Sequence, residues 1–223
     1  TFGADIERAH VIHPGIDLAR FTPPAAPDPR AMHSAGMVYR LEPDKLNLES
    51  IDVLIAACRA RPEMRAVVVG GGSLFRPFVA RTRAAGVRGQ FFFTGPVPYQ
   101  RLPDYYALFS VFVAPVWKES FGQVVPFAMN MGQAVAGNRV GALGEILGSV
   151  ETLGETTSET AAILAGLIGD PARIAALGAR NRTRAAAFDV TAMNAAYGMV
   201  YDDLLGPASD PMAGFPPAEI FTS

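Results

Sequence analysis

The chain predicts an α/β domain, a doubly wound parallel sheet of Rossmann-like type, and three observations carry that reading. Short runs rich in valine and phenylalanine alternate with stretches whose apolar residues fall at helical spacing. A run such as Val111-Phe112-Val113-Ala114 is apolar throughout, as strands covered on both faces are. Glycines and charged residues gather just after these runs, where sheets of this class meet their ligands. There is no internal repeat. An early Gly-x-Gly-x-x-Gly is also lacking, which argues against a nicotinamide-binding version of the fold.

The elements follow in order. His10 to His13 is a short apolar lead-in, ended by the turn Pro14-Gly15-Ile16-Asp17. Residues 22–36, rich in Pro, Ala and Asp, read as a loop. Met37 to Tyr39 reads as a strand and Arg40 to Asn47 as a polar turn. Ile51, Leu54, Ile55 and Cys58 then mark one face of a helix. A strand at Arg65–Val69 stops at Gly70-Gly71-Gly72, followed by a helix over Leu74–Ala85 and a strand over Gln90–Thr94. Gly95-Pro96 breaks the chain before a helix at Arg101–Leu108. A buried strand over 110–114 feeds the turn Lys118 to Gln123, and a helix runs from Val124 to Met131, stopped by Gly132. A strand at Ala134–Ala136, a glycine-bounded turn from Gly137 to Gly141 and a short helix at Gly144–Leu147 come next. Helices are expected over 158–168, 171–186 and 190–205. Residues 1–205 thus read as one domain closed by the helix 190–205, and 206–223 as a Pro-rich tail.

Composition narrows the function. With 223 residues, half of them hydrophobic, the chain is long enough for one packed domain. A formal charge of −2, evenly spread and without a Lys/Arg run, excludes a nucleic-acid surface. The single cysteine, Cys58, rules out an internal disulfide and fits a reducing compartment. It reads as a small core residue. No stretch approaches the roughly 20 apolar residues of a membrane span, so the expected location is the cytoplasm, or the inner face of a membrane in a longer protein. His10, His13 and His33 have neither metal-ligand nor triad spacing and read as surface or hinge residues. Trp117 and Phe91-Phe92-Phe93 read as packing.

Three groups could carry chemistry. Arg40 and Lys45 sit on the turn after the first strong strand; a guanidinium fork and a point charge on such a loop suit a diphosphate, though solvated charge would look the same. Gly71 within the triple glycine, and Gly95 with Val97, offer backbone that a ligand can approach closely; a tight strand-to-helix turn is the competing reading. Between strand and helix, Glu119-Ser120-Phe121-Gly122-Gln123-Val124 sets a carboxylate beside backbone N–H groups left unpaired at a helix start. Pro126, lacking an N–H, belongs to the first helical turn. Glu119 would accept hydrogen bonds from sugar hydroxyls, or merely balance the helix dipole.

Taken together, these groups resemble a family. His13-Pro14-Gly15-Ile16-Asp17, Tyr39-Arg40-Leu41 with Lys45, Phe93-Thr94-Gly95, Glu119-Ser120-Phe121-Gly122 and Gly141-Ala142-Leu143-Gly144-Glu145 are similar, in this order, to retaining glycosyltransferases of the GT-B fold, family 4. The resemblance runs from about residue 10 to 205 and covers only the C-terminal, donor-binding half of that fold. It implies that an acceptor-binding N-terminal domain precedes Thr1. It further implies transfer of a sugar from a nucleotide-diphosphate sugar to a sugar, lipid or protein acceptor, with retention and without a metal or other cofactor. The departing phosphate would then assist the acceptor hydroxyl on the same face. Arg40 and Lys45 would hold the diphosphate, Glu119 the sugar hydroxyls, the backbone of Phe121 to Val124 the sugar and phosphate, and the loop near Gly95 to Val97 would lie against the base; Gly71, Ser120 and the position of Phe127 would complete the donor contacts. The family's second glutamate, eight positions after Glu119, is Phe127 here, and a phenyl ring cannot accept ribose hydrogen bonds. A non-catalytic binding domain and a nucleotide-sugar epimerase of similar fold stand as alternatives.

Overall fold

Six strands pair in the order β3-β2-β1-β4-β5-β6, every pair parallel, in a computed structural model that describes residues 9–25 and 28–205. The strands are β1 (Ser34–Val38), β2 (Arg65–Val69), β3 (Phe91–Gly95), β4 (Val111–Ala114), β5 (Ala134–Asn138) and β6 (Leu153–Gly154). The helices are α1 (Ser50–Ala60), α2 (Phe75–Ala84), α3 (Leu102–Tyr106), α4 (Val124–Asn130), α5 (Leu143–Leu147), α6 (Thr157–Ile168), α7 (Pro171–Ala185) and α8 (Val190–Leu205).

Burial explains the composition of the central strands. Every residue of β1 and β4 is buried, and the one polar side chain among them, Ser34, donates its hydroxyl to Arg30 O. Helices therefore cover both faces: α1 packs on α6, and α4 on α7. At the edge, β3 leaves Phe92 half-exposed, so that ring of the phenylalanine trio does not pack inside. Cys58 is buried in α1 as expected, and its burial pushes the thiol up to about 12. Helix starts follow local chemistry. Thr156 accepts from the Glu159 N–H, and Asp170 accepts from the Arg173 N–H with Pro171 opening α7 behind it.

One expectation needs correction, and one strand had no counterpart in the sequence reading. Residues 22–36 are not all loop: Pro29–His33 is a 3₁₀ turn and β1 begins at Ser34, where small residues leave room for the Phe109 ring against Gly36. The strand β6 has only two residues, too few to leave a pattern, and is defined by its pairing with Gly137 and Asn138. The lead-in at His10 to His13 forms no strand. Pairing comes later, where Ile16 exchanges hydrogen bonds with Phe188 and Val190 and so ties the leading segment to the α7–α8 junction. The last helix, α8, buries no residue, and Tyr201, Leu204 and Leu205 stand exposed. The tail 206–223 lies outside the described residues.

Candidate functional site

Between β1 and β4 the winding of the sheet reverses, and the loops leaving these neighbouring strands diverge. A cleft of about 410 Å³ opens there. The loop after β1 supplies Tyr39, Arg40, Asp44 and Lys45; the loop after β4 supplies Ser120, Phe121, Gly122, Gln123 and Val124. Beside it lies a second, more apolar cavity of about 320 Å³, lined by Val38, Val69, Gly71, Val97 and Leu102 among others. Tyr39, Arg40 and Val124 line both, so the two spaces meet at a common lip.

The wall behind the cleft is an ion pair. Lys45 Nζ donates to Glu119 Oε1 at 2.7 Å, and the Ser120 N–H donates to the same oxygen at 3.0 Å. The Lys45 side chain is 40% exposed while that of Glu119 is fully buried. Two glycines make this burial possible. A Cβ on Gly122 would come within 2.9 Å of the Glu119 carboxylate, and one on Gly141 within 1.8 Å of its carbonyl oxygen. Both also hold left-handed φ, at 73° and 53°. The other carboxylate oxygen, Oε2, is buried with no hydrogen-bond partner, an arrangement that is costly unless something arrives to satisfy it.

Opposite, Arg40 is held by Asp44, Nη2 to Oδ2 at 2.7 Å, with both groups well exposed. The N–H groups of Phe121, Gly122, Gln123 and Val124 have no acceptor among the described residues, whereas Val125 N–H already bonds Gly122 O. This agrees with the reading of an open helix start, and Pro126 falls third in α4. The Tyr39 hydroxyl is also buried and unpartnered. Burial first, and the Glu119 carboxylate second, hold its pKa well above the usual phenol value. Besides Tyr39, two more residues that the sequence did not single out for chemistry stand in or beside the cleft. Asp44 is an anion in the same cleft as the cations. His13 stacks on Phe121 with ring centroids 6.1 Å apart, and its Nε2 lies 3.4 Å from Glu145 Oε1. The His-Pro-Gly turn was the only signal for the latter. Among the described residues, no group of three His, Cys, Asp or Glu side chains is gathered as metal ligands would be.

From residue 34 to residue 170 the chain matches the profile of the family described as glycosyl transferases group 1. It belongs to that family. Among curated group 1 relatives, D-inositol 3-phosphate glycosyltransferase of Xylanimonas cellulosilytica is 33% identical over 211 residues, covering 86% of this chain and 51% of that protein. The chain spans about half the length of the curated relatives it matches. The fold is that of sucrose-phosphate synthase from Thermosynechococcus elongatus, with TM-score 0.74 and 24% identity over 88% of this chain and 52% of the other. It is equally that of Anabaena HepE, solved in complex with UDP and glucose, with TM-score 0.73 and 20% identity over 90% and 59%.

Within this group 1 domain, the residues nominated from sequence fall into three sets. Arg40, Lys45 and Ser120 to Val124 are brought together around the cleft, and Gly71 and Val97 line the neighbouring cavity. Glu119 stands behind the wall rather than in the cleft. Gly95 and Phe127 line neither space. Gly95 O accepts from the Gly70 N–H. Phe127 turns away into an aromatic cluster, stacked on Phe21 at 3.8 Å, with Tyr99 against its edge. The ring is thus packed among its neighbours and turned from both spaces. Trp117 is half-exposed, its indole N–H donating to Leu46 O and its backbone N–H to Lys45 O, so it braces the loop that carries Lys45.

Proposed function

We propose that this domain binds a nucleotide-diphosphate sugar and, joined to an acceptor-binding domain, passes the sugar to an acceptor hydroxyl. The observation that carries the reading is the pair of cavities meeting at one lip over the switch point of the sheet. One is apolar and edged by backbone, suited to a flat base. The other is walled by two cations and a row of free N–H groups, suited to phosphates and the sugar they carry. The half-length match to the relatives, and a neighbour of the same fold solved with UDP and glucose, support it.

On this reading Arg40 and Lys45 offset the negative charge that grows on the departing nucleoside diphosphate, the task a divalent ion performs elsewhere. No metal is then required. The N–H groups of Phe121 to Val124 hold the sugar-linked phosphate, and Glu119 Oε2 accepts from a sugar hydroxyl, ending its isolation. The leaving phosphate takes the acceptor's proton on the face it departs from, so configuration is retained with no nucleophile from this domain.

Thermal-shift titration of this chain with a panel of nucleotide sugars and nucleoside diphosphates tests the binding step, since a ligand of the folded state raises Tm by mass action. A rise for at least one compound, lost in Arg40→Ala and in Lys45→Ala, is expected. No rise for any compound would sink the reading. Transfer by the longer protein, abolished by the same two substitutions, would separate catalysis from mere binding.

A further inference from the structure

Two oxygens beneath the cleft are buried and unpartnered: Glu119 Oε2 and the hydroxyl of Tyr39. The first finds a role in the donor reading above. The second has none, and its surroundings leave it no partner within the domain. The neighbouring Tyr106 hydroxyl already donates to Val124 O at 3.1 Å, Glu119 Oε1 is taken by Lys45 and the Ser120 N–H, and Glu119 Oε2 makes no hydrogen bond to Tyr39 or to any other group. Tyr39 is 8% exposed, with its ring 6.0 Å from that of Phe112, so the side chain is held in place beneath the two cavities that it lines. It remains protonated, since burial and the adjacent carboxylate both disfavour the phenolate. A protonated phenol has one hydrogen to donate.

We infer that Tyr39 is a further binding residue of the donor site, its hydroxyl donating a hydrogen bond to a diphosphate oxygen of the bound nucleotide. The inference rests on the donor-binding reading and deepens it. Tyr39 is one of three residues common to both cavities, so it lies under the join. A ligand with its base in the apolar cavity and its sugar in the cleft must run its ribose–diphosphate link over that join. Arg40, which shares the lip, marks it as the anionic part of the link. An anionic oxygen is the acceptor that a lone phenol hydrogen favours most. Tyr39 and Glu119 then form a complementary pair, one giving a hydrogen to the phosphate side and the other accepting one from the sugar side. The position has compensating value here, because Phe127 offers the link no hydrogen bond.

The test is calorimetric titration of this chain and its Tyr39→Phe variant with UDP, ADP and GDP, and with uridine, adenosine and guanosine. Removing one hydrogen bond to a charged group is expected to weaken the preferred diphosphate about tenfold or more while leaving its nucleoside unchanged. Equal diphosphate affinity in the two proteins would overturn the inference. Equal weakening of diphosphate and nucleoside would overturn it too, by moving the contact to the ribose. If the unsubstituted chain binds none of the six, the donor-site reading itself fails, and this inference with it. Should Tyr39→Phe fold poorly, the chain labelled with 3-fluorotyrosine supplies an independent readout. The Tyr39 ¹⁹F resonance should move on adding the diphosphate and stay in place with the nucleoside; no movement with the diphosphate would refute the contact.

Discussion

Lys45 and Glu119 are 74 positions apart in the chain and 2.7 Å apart in the fold, and their ion pair closes the back of the cleft across the switch point. Trp117 ties the same two loops through Lys45 O and Leu46 O, and together with the ion pair these bonds set the width of the site. Its two halves differ in burial, which fixes what each substitution should do. Lys45→Met leaves a carboxylate with no exposure and no cation, and should cost about 2 kcal/mol. That is below the loss for a fully enclosed pair, because the Lys45 head already reaches water. Glu119→Gln keeps the shape, frees Lys45 and should cost about 1 kcal/mol. Urea denaturation of both variants and of the double variant checks this. A double variant as unstable as the sum of the two singles would show that the pair is not coupled.

Asp44 competes with any anionic ligand for Arg40. The pair is solvent-exposed, so it contributes little to stability, of the order of 0.2–1 kcal/mol. In the donor-binding reading, a diphosphate must displace Asp44 or share the guanidinium with it. Asp44→Asn should therefore leave Tm nearly unchanged and tighten nucleoside-diphosphate binding about two- to fivefold. The gain should shrink as salt is raised. Titrations at low and high ionic strength measure it, and weaker binding in the variant would show that Asp44 assists the ligand instead.

How far the chain announced its own fold varies by element. The strand Arg65–Val69 was readable to the residue because a valine run ends at three glycines. The start of β1 was not, since Ser34-Ala35-Gly36 looks like loop until Phe109 is seen to occupy the space beside Gly36. Arg40, Lys45 and Ser120 to Val124 were legible because loops after strands of a parallel sheet converge by construction. The burial of Glu119 was not, because it depends on Gly141 and Lys45, residues remote in sequence. Tyr39 read as one more strand residue; only the packing around its hydroxyl shows that it lacks a partner.

Phe127 illustrates a substitution that sequence alone would misjudge. By the family pattern, Phe127→Glu would rebuild a ribose contact. The structure gives the position to an aromatic cluster, with Phe21 stacked at 3.8 Å and Tyr99 on its edge. A carboxylate there would be buried without a partner, and the Phe21 ring would lose its cover. Phe127→Glu should destabilise the domain by about 3 kcal/mol or more, and Phe127→Leu by about 1–2 kcal/mol. Nucleotide affinity should not improve in the folded fraction of either. Denaturation midpoints together with a nucleotide titration decide the matter, and tighter binding in Phe127→Glu would return the residue to the site.

Cys58 makes the stability of the domain sensitive to alkali. Burial raises its folded-state pKa to about 12, against 9.0 for an ordinary thiol. Unfolding above pH 9 therefore releases a proton that the native state retains. The stabilisation is fully present below about pH 9 and is lost as pH rises toward 12, at up to about 1.4 kcal/mol per pH unit. Tyr39 and Tyr106, whose hydroxyls burial also pushes well above the usual phenol value, add to the loss at higher pH. Cys58→Ala should cost about 1 kcal/mol at neutral pH through lost packing. It should also flatten the stability profile between pH 9 and 10, where the thiol is the group that titrates on unfolding. Urea midpoints taken every half unit from pH 7 to 10.5 distinguish the cases. Parallel profiles for the two proteins would mean that the thiol does not carry the pH dependence.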